Sequence, residues 1–318
     1  MKPYDVIAIG ELNVDLLLNR IDGFPEIGKE KFAGDMLLTL GSSTAIFAAN
    51  SAALGVRTGF AGMIGRDTFG ELVKRSLRDK GVDTRFVIES DACATGATIV
   101  MNYGEDRANL TYQGAMDRMR FADVDKELFA LTRHIHLSSV FMQSGLMQDL
   151  GELLRYARSQ GVTVSLDTQW DPAETWNFDC RTLLPLIDVF LPNEKELMAL
   201  TRRATVDEAI REVVPYLGNA AVVKCGSRGS LLVRRDGSVH ALDACLNRHV
   251  VDAIGAGDSF NAGFVRCFVQ GRPLEECQRL GNLIGAVSTT AAGGTGAFAS
   301  REAVVRTARE VFGQEIDL

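Results

Sequence analysis

The pattern that most restricts this chain is a short apolar run, ended by a polar residue and followed by a helical stretch, that recurs along its length. DVIAIG at Asp5–Gly10, HIHLSS from His134, VTVSLD ending at Asp167, DVFLPN ending at Asn193 and Ala221–Lys224 are each short and apolar, so they read as buried strands. Helical segments such as Met147–Gln160 separate them, and strands joined in this way form right-handed βαβ units. The spacing predicts an α/β fold, with a central, mostly parallel sheet flanked by helices. Ligands of such sheets gather at the carboxyl ends of the strands, where Asp167, Asn193, Gly226 and Asp252 fall. No internal repeat or low-complexity linker interrupts the pattern, so residues 1–318 are expected to form one domain.

Two regions follow a different rhythm. Leu16–Arg20 and Lys31–Thr39 alternate loosely around the turn-rich IDGFPEIGKE, and Gly96–Tyr103 and Asn109–Gln113 flank GEDRA like a hairpin. They predict a small β-sheet lid built from segments within about 12–40 and 96–114, outside the main sheet.

Composition removes several classes. With 46% apolar and 24% charged residues, the 318-residue chain has ample material for a core. No run approaches the ~18 apolar residues of a membrane span, and the N-terminus moves directly into a strand pattern, so a cytoplasmic location is expected. A net charge of −7 argues against nucleic-acid binding, which needs a basic surface. Six cysteines without a CxxC pair read as reduced packing thiols, and four histidines lack metal-ligand spacing. His134 and His136, which alternate on one strand, read as structural, and the phosphate-binding pattern GxxxxGK[ST] is absent.

The segment Val251–Gln270, VDAIGAGDSFNAGFVRCFVQ, reads as a reaction centre. An extended entry ends at Asp252, a Gly255-Ala256-Gly257 turn follows, and the small and apolar residues after Asp258 suit a buried helix. The first amides of a helix lack intrahelical partners, and its dipole adds about half a positive charge there. Glycines let bare N–H groups converge on an anion, while Asp258 in the first turn can take a proton from a hydroxyl.

IGAGDSFNAGF, preceded by Val251-Asp252, resembles the C-terminal signature of the PfkB-type, ribokinase-like carbohydrate kinases. The family usually reads D-T-x-G-A-G-D, and Ala253 stands at the Thr position. Residues Gly41–Gly70 are similar to the family's N-terminal signature, except that Ser42 replaces the second Gly and Ile46 an Asn. The resemblance implies transfer of the ATP γ-phosphoryl group to a small sugar, with Asp258 as base and the Gly255, Ala256 and Gly257 amides as the anion hole. It implies that Asn193 and Glu196 of N-x-x-E serve the Mg2+ and phosphate region, usually through water. Lys224, Gly226 and Gly229 then contact nucleotide, Asn282 lies near adenine, and Asp252 and Ile254 join the loop around Ala291–Gly296 in holding K+. A lid that closes over the sugar and forms a homodimer contact belongs to the same picture.

The resemblance further implies sugar contacts from Asp15 of Asn13-Val14-Asp15, from Gly41 and Ser42, from Tyr112 in the lid and from Asp258. Ile46 cannot supply the hydroxyl partner that an Asn amide gives. Tyr112 and Gln113 stand where relatives that take acid sugars tend to supply Arg, and Arg107 reads as a solvated hairpin charge. A neutral furanose or ketose is therefore expected, with ketodeoxygluconate and nucleoside as alternatives. A dinucleotide-binding oxidoreductase fits poorly, because G-x-G-x-x-G needs a third glycine where Phe260 stands. A noncatalytic sensor on the same fold is the other rival, against which the intact Asp258 argues.

Overall fold

A computed structural model describes residues 2–103 and 106–318. In chain order its strands are β1 (Tyr4–Ile9), β2 (Asn13–Asn19), β3 (Asp35–Leu40), β4 (Thr58–Gly65), β5 (Asp83–Ser90), β6 (Gly96–Tyr103), β7 (Asp106–Tyr112), β8 (Thr132–Ser138), β9 (Thr163–Asp167), β10 (Val189–Phe190), β11 (Ala220–Lys224), β12 (Ser230–Arg234) and β13 (Val239–Leu242). Nine form one sheet in the order β13-β12-β11-β10-β9-β8-β1-β4-β5. From β5 to β11 every pairing is parallel, and β12 and β13 add an antiparallel edge.

Strand periodicity builds the two faces of this sheet. Along β1, Ile7 and Ile9 enter one apolar cluster with Ile135, Leu137, Val164, Leu166 and the Ser144–Ser159 helix. Val6 and Ala8 enter the other, with Phe47, Phe264 and Ile284. Helices with small or apolar residues on every side belong in the interior, with the few polar ones paired there. In the Ser43–Ala53 helix Thr44–Ser51 are all buried, and in the Ala256–Val269 helix so are Asp258–Cys267.

The lid segments form a separate four-stranded sheet, β3-β2-β6-β7. β2 runs antiparallel to β3 and parallel to β6, and β6 and β7 make the expected hairpin, pairing from Ala97 with Tyr112 to Tyr103 with Asp106. Gly104 and Glu105 of the GEDRA turn lie outside the described residues.

Two expected strands differ. DVFLPN contributes only Val189–Phe190, because Pro192 has no N–H to donate and Asn193 caps the next helix, though Asn193 still bridges to Lys224. The entry to Asp252 belongs to neither sheet, so Asp252 does not close a strand. It is placed instead by Val251, whose N–H donates to the Thr289 carbonyl at 2.9 Å. No helix among the described residues is long and apolar enough to cross a membrane.

Candidate active site

At the carboxyl ends of β1, β8 and β9 lies a cavity of about 240 Å3. Its wall includes Glu11, Asn13, Asp15, Ser42, Gln169 and Asp258, with Thr98, Arg107 and Asn109 contributed by the lid. Asp15 sits on β2, where its Oδ1 accepts from Asn13 Nδ2 at 3.0 Å. Burial pushes the Asp15 carboxyl up to about 6, against the Asn13 hydrogen bond and the nearby Arg107 guanidinium. Gly41 stands behind this pair: a β-carbon there would lie 2.6 Å from Asp15 Cγ and 2.8 Å from Asn13 Nδ2.

Ser42 adopts φ 71°, a left-handed angle that suits glycine, yet its hydroxyl does structural work. Ser42 Oγ caps the Ser43–Ala53 helix by accepting from Ala45 N–H at 2.9 Å, and lies 2.7 Å from the Glu11 carbonyl oxygen. Glu11 is buried against Thr44, Ser42 and Gln143, and burial raises its pKa.

Asp258 is 5% exposed, in the first turn of the Ala256–Val269 helix. Burial and the neighbouring Asp167 raise its pKa well above the usual carboxylate range, Lys224 opposes this, and Glu11 adds to it. Gly255 caps the helix at φ 73°, and a β-carbon there would come within 2.7 Å of Gly294 Cα. Ser259 N–H makes the first helical bond, to the Gly255 carbonyl at 2.8 Å. Of the expected anion-hole amides, that of Ala256 is already given to the Ala253 carbonyl at 3.3 Å, a turn bond that reduces its availability. The Gly255 and Gly257 N–H groups have no such backbone acceptor among the described residues.

Lys224, at the end of β11, forms an ion pair with the completely buried Asp167. Burial works against the ammonium, but Asp167 and Glu196 outweigh it and hold its pKa above the ordinary lysine value. Asn261 Nδ2 donates to Asp167 Oδ2 at 2.6 Å, and Gln169 Nε2 joins Asp167 Oδ2 to Asp258 Oδ1 at 3.1 and 2.9 Å.

A second groove, of about 320 Å3, is walled by Lys224, Gly226, Gly229, Ala256, Gly257, Phe260 and Asn282. Asn282 Nδ2 donates to the Leu242 and Asp243 carbonyls at 3.3 and 3.0 Å, which fixes one wall. Beside it, Asn193 and Glu196 form a capping box: Asn193 Oδ1 accepts from Glu196 N–H at 2.9 Å and Glu196 Oε2 from Asn193 N–H at 2.8 Å. Unlike a solvated cap, Glu196 is 3% exposed, and burial with Asp167 pushes its carboxyl up to about 7. Asp252 Oδ1 accepts from Ile254 N–H and its Oδ2 from Gly293 N–H, both at 2.9 Å, so one carboxylate ties the catalytic turn to the C-terminal glycine loop. A larger concavity, about 1060 Å3, lies toward Arg266, Arg279 and Leu318 and shares only Cys245 and Asn282 with this groove.

The model of the pfkB family carbohydrate kinases matches residues 5–300. The chain belongs to the PfkB family of carbohydrate kinases. Its relatives include an uncharacterized sugar kinase of Archaeoglobus fulgidus, 30% identical over 73% of this chain and 91% of the relative. A nucleoside kinase of Methanothermobacter thermautotrophicus is 26% identical over 88% and 87%, and a 5-dehydro-2-deoxygluconokinase of Geobacillus kaustophilus 26% over 88% and 86%. Among solved structures, Arabidopsis thaliana ribokinase complexed with ribose and ATP superposes with a TM-score of 0.82 at 25% identity, covering 96% of this chain and 98% of the other. The fold is thus ribokinase-like, and the PfkB chain is a sugar or nucleoside kinase.

Most of the residues singled out from the PfkB signatures lie around the two cavities, with two differences. Tyr112 is 60% exposed and outside the sugar-side wall, whereas Arg107, read as a solvated charge, is part of it. Gly41 shapes the cavity from behind Asp15 without lining it. Ile46, in the place of the family's Asn, packs against the turn: a β-carbon on Gly255 would lie 3.1 Å from its Cγ2. Sequence reasoning missed Gln169 altogether. The available signal was its position two residues after Asp167, which ends a strand.

Proposed function

We propose that this kinase transfers the γ-phosphoryl group of ATP to a hydroxyl of a sugar acid bound between Asp15, Arg107 and Asp258. One observation carries the phosphotransfer reading. Within a single helical turn, Gly255 and Asp258 face the lid-side cavity while Ala256 and Gly257 face the other groove. An acceptor in the first and a nucleotide in the second meet across that turn, so Asp258 takes the hydroxyl proton where the amides meet the transferring phosphoryl charge.

The donor groove fits a nucleotide. It is lined by glycines and alanines that admit a close backbone, Lys224 lies 3.5 Å from where a Gly257 β-carbon would stand, and Gly226 and Gly229 take positive φ. Asn193 and Glu196 offer hard oxygens and would hold Mg2+ through water, and the ion would neutralise phosphate charge. The Asp252 carboxylate, with Ile254 and the Ala291–Gly296 loop, is the candidate K+ site.

For the acceptor, the neutral expectation rested on the absence of an inward arginine, and Arg107 in the wall removes that reason. A guanidinium fork recognises a carboxylate. Among the described residues the wall has no aromatic ring on which a nucleobase stacks, which disfavours a nucleoside. Exposed Met36, Leu110 and Tyr112 on the lid support a homodimer through that sheet.

An acceptor panel tests this reading: ribose, fructose, adenosine, 2-dehydro-3-deoxygluconate and 5-dehydro-2-deoxygluconate, followed by ADP release. One of the sugar acids is expected to give the highest kcat/KM, and Arg107→Ala to lower it roughly 10- to 100-fold while leaving ribose little changed. A neutral sugar as best acceptor, indifferent to Arg107→Ala, would overturn the acid assignment.

A further inference from the structure

Gln169 is held in an unfavourable backbone conformation at the centre of the site. It follows β9 at φ 57°, a left-handed angle costly for any residue with a β-carbon. Its side chain spans two acidic groups: Nε2 donates to Asp258 Oδ1 at 2.9 Å and to Asp167 Oδ2 at 3.1 Å, while its backbone N–H donates to Asp167 Oδ1 at 3.3 Å. An NH2 group between two carboxylate oxygens is fixed in orientation, because turning the amide over would set its own oxygen against both. Gln169 also lines the acceptor cavity.

The groups that face Asp258 come from several elements. Asp167 lies at the end of β9, Lys224 at the end of β11, Glu11 after β1 and the Ser43 hydroxyl at the start of the Ser43–Ala53 helix. Lys224 is committed to Asp167, and also approaches Asn261 Oδ1 at 3.4 Å. Gln169 is therefore the neutral donor that stands between the two carboxylates.

We propose that Gln169 is the positioning residue of the base: it grips Asp258 by Oδ1, leaves Oδ2 for the acceptor hydroxyl and shields the carboxylate from Asp167. This rests on Asp258 acting as the base. The left-handed backbone is then the cost of aiming a long amide back over β9, which glycine would satisfy geometrically but not chemically. The charge consequence has a definite sign. Removing a donor from Asp258 destabilises its ionised form, so the acidic limb of the kcat/KM profile moves to higher pH.

Gln169→Gly and Gln169→Glu test this, assayed with ATP and the best acceptor of the panel. 2-Dehydro-3-deoxygluconate serves if a sugar acid is best, and ribose otherwise. Gln169→Gly relieves the strained angle but removes a donor shared by two buried carboxylates, so a melting curve of the same preparation is recorded to show that the variant is folded at the assay temperature. Its kcat is expected to fall roughly tenfold or more, with KM for ATP unchanged. Its acidic limb is expected to move up by about half a pH unit or more, and that of Gln169→Glu further, since a third carboxylate replaces the donor. Unchanged kcat with an unmoved limb in Gln169→Gly overturns the proposal, and so does a loss of rate with an unmoved limb, which is what a purely structural role would give. Asp258→Asn in the same assay separates the levels. If it is inactive while Gln169→Gly is normal, only the role of Gln169 fails; if it turns over normally, the base assignment fails and the proposal with it.

Discussion

Lys224 is ion-paired with an Asp167 carboxylate that water does not reach, and its own side chain is only 12% exposed. Removing one partner of such a pair leaves the other charged and buried, which costs about 3–5 kcal/mol. Lys224→Met should therefore lower unfolding stability by roughly 3 kcal/mol or more, read from chemical-denaturation midpoints at neutral pH. Arg228→Ala, which removes a surface pair with Glu194, should leave the midpoint nearly unmoved. Equal, small effects of both substitutions would show that Asp167 is not dependent on Lys224.

Asp15 sets a pH dependence of the unliganded protein. Its folded pKa of about 6 lies above the ordinary 3.8, so protonated Asp15 favours the fold. That contribution is complete below about pH 4 and is lost as pH rises through 6. Asp15→Asn should be more stable than the unmodified protein at pH 7.5, by about 1–2 kcal/mol after allowing for solvent screening, and the advantage should vanish by about pH 4. Melting curves at the two pH values check this, and an Asp15→Asn protein less stable at pH 7.5 would contradict it.

Much of this arrangement is legible in the sequence because backbone chemistry announces itself. The buried β-branched runs give the parallel sheet, and the glycines around Asp258 give the turn that separates the two cavities. The lid strands were legible for the same reason, through their turn-rich boundaries. What the sequence could not convey is which way a long side chain points. Arg107 and Tyr112 lie five residues apart on one hairpin, and the resemblance that pointed to Tyr112 carries no information on which of the two faces this cavity, whose wall includes Arg107. Gln169 was hidden for another reason: its role depends on a left-handed φ and on a carboxylate 89 positions away. Asn193 and Glu196 satisfy both a capping box and a buried charge site, a double role that a four-residue motif cannot separate.

Asp252 joins Ile254 to Gly293, and a cation sharing its carboxylate would stiffen the turn that carries Asp258. Lys80 bonds the Thr295 carbonyl of the same loop at 3.3 Å and the Phe298 carbonyl beyond it at 2.9 Å, which ties the loop down from its other side. The expected outcome is a higher kcat in potassium chloride than in tetramethylammonium chloride at equal ionic strength, and a smaller difference in Asp252→Asn. Equal rates in the two salts would remove the potassium site.

If Asp258 deprotonates the acceptor hydroxyl, Asp258→Asn removes that step alone, because the amide keeps the volume and loses the basicity. Steady-state phosphoryl transfer from ATP to the best acceptor, measured beside circular dichroism of the same preparation, should show a native spectrum and a kcat reduced roughly 100- to 10,000-fold. A folded Asp258→Asn protein that turns over at close to the unmodified rate would contradict the account.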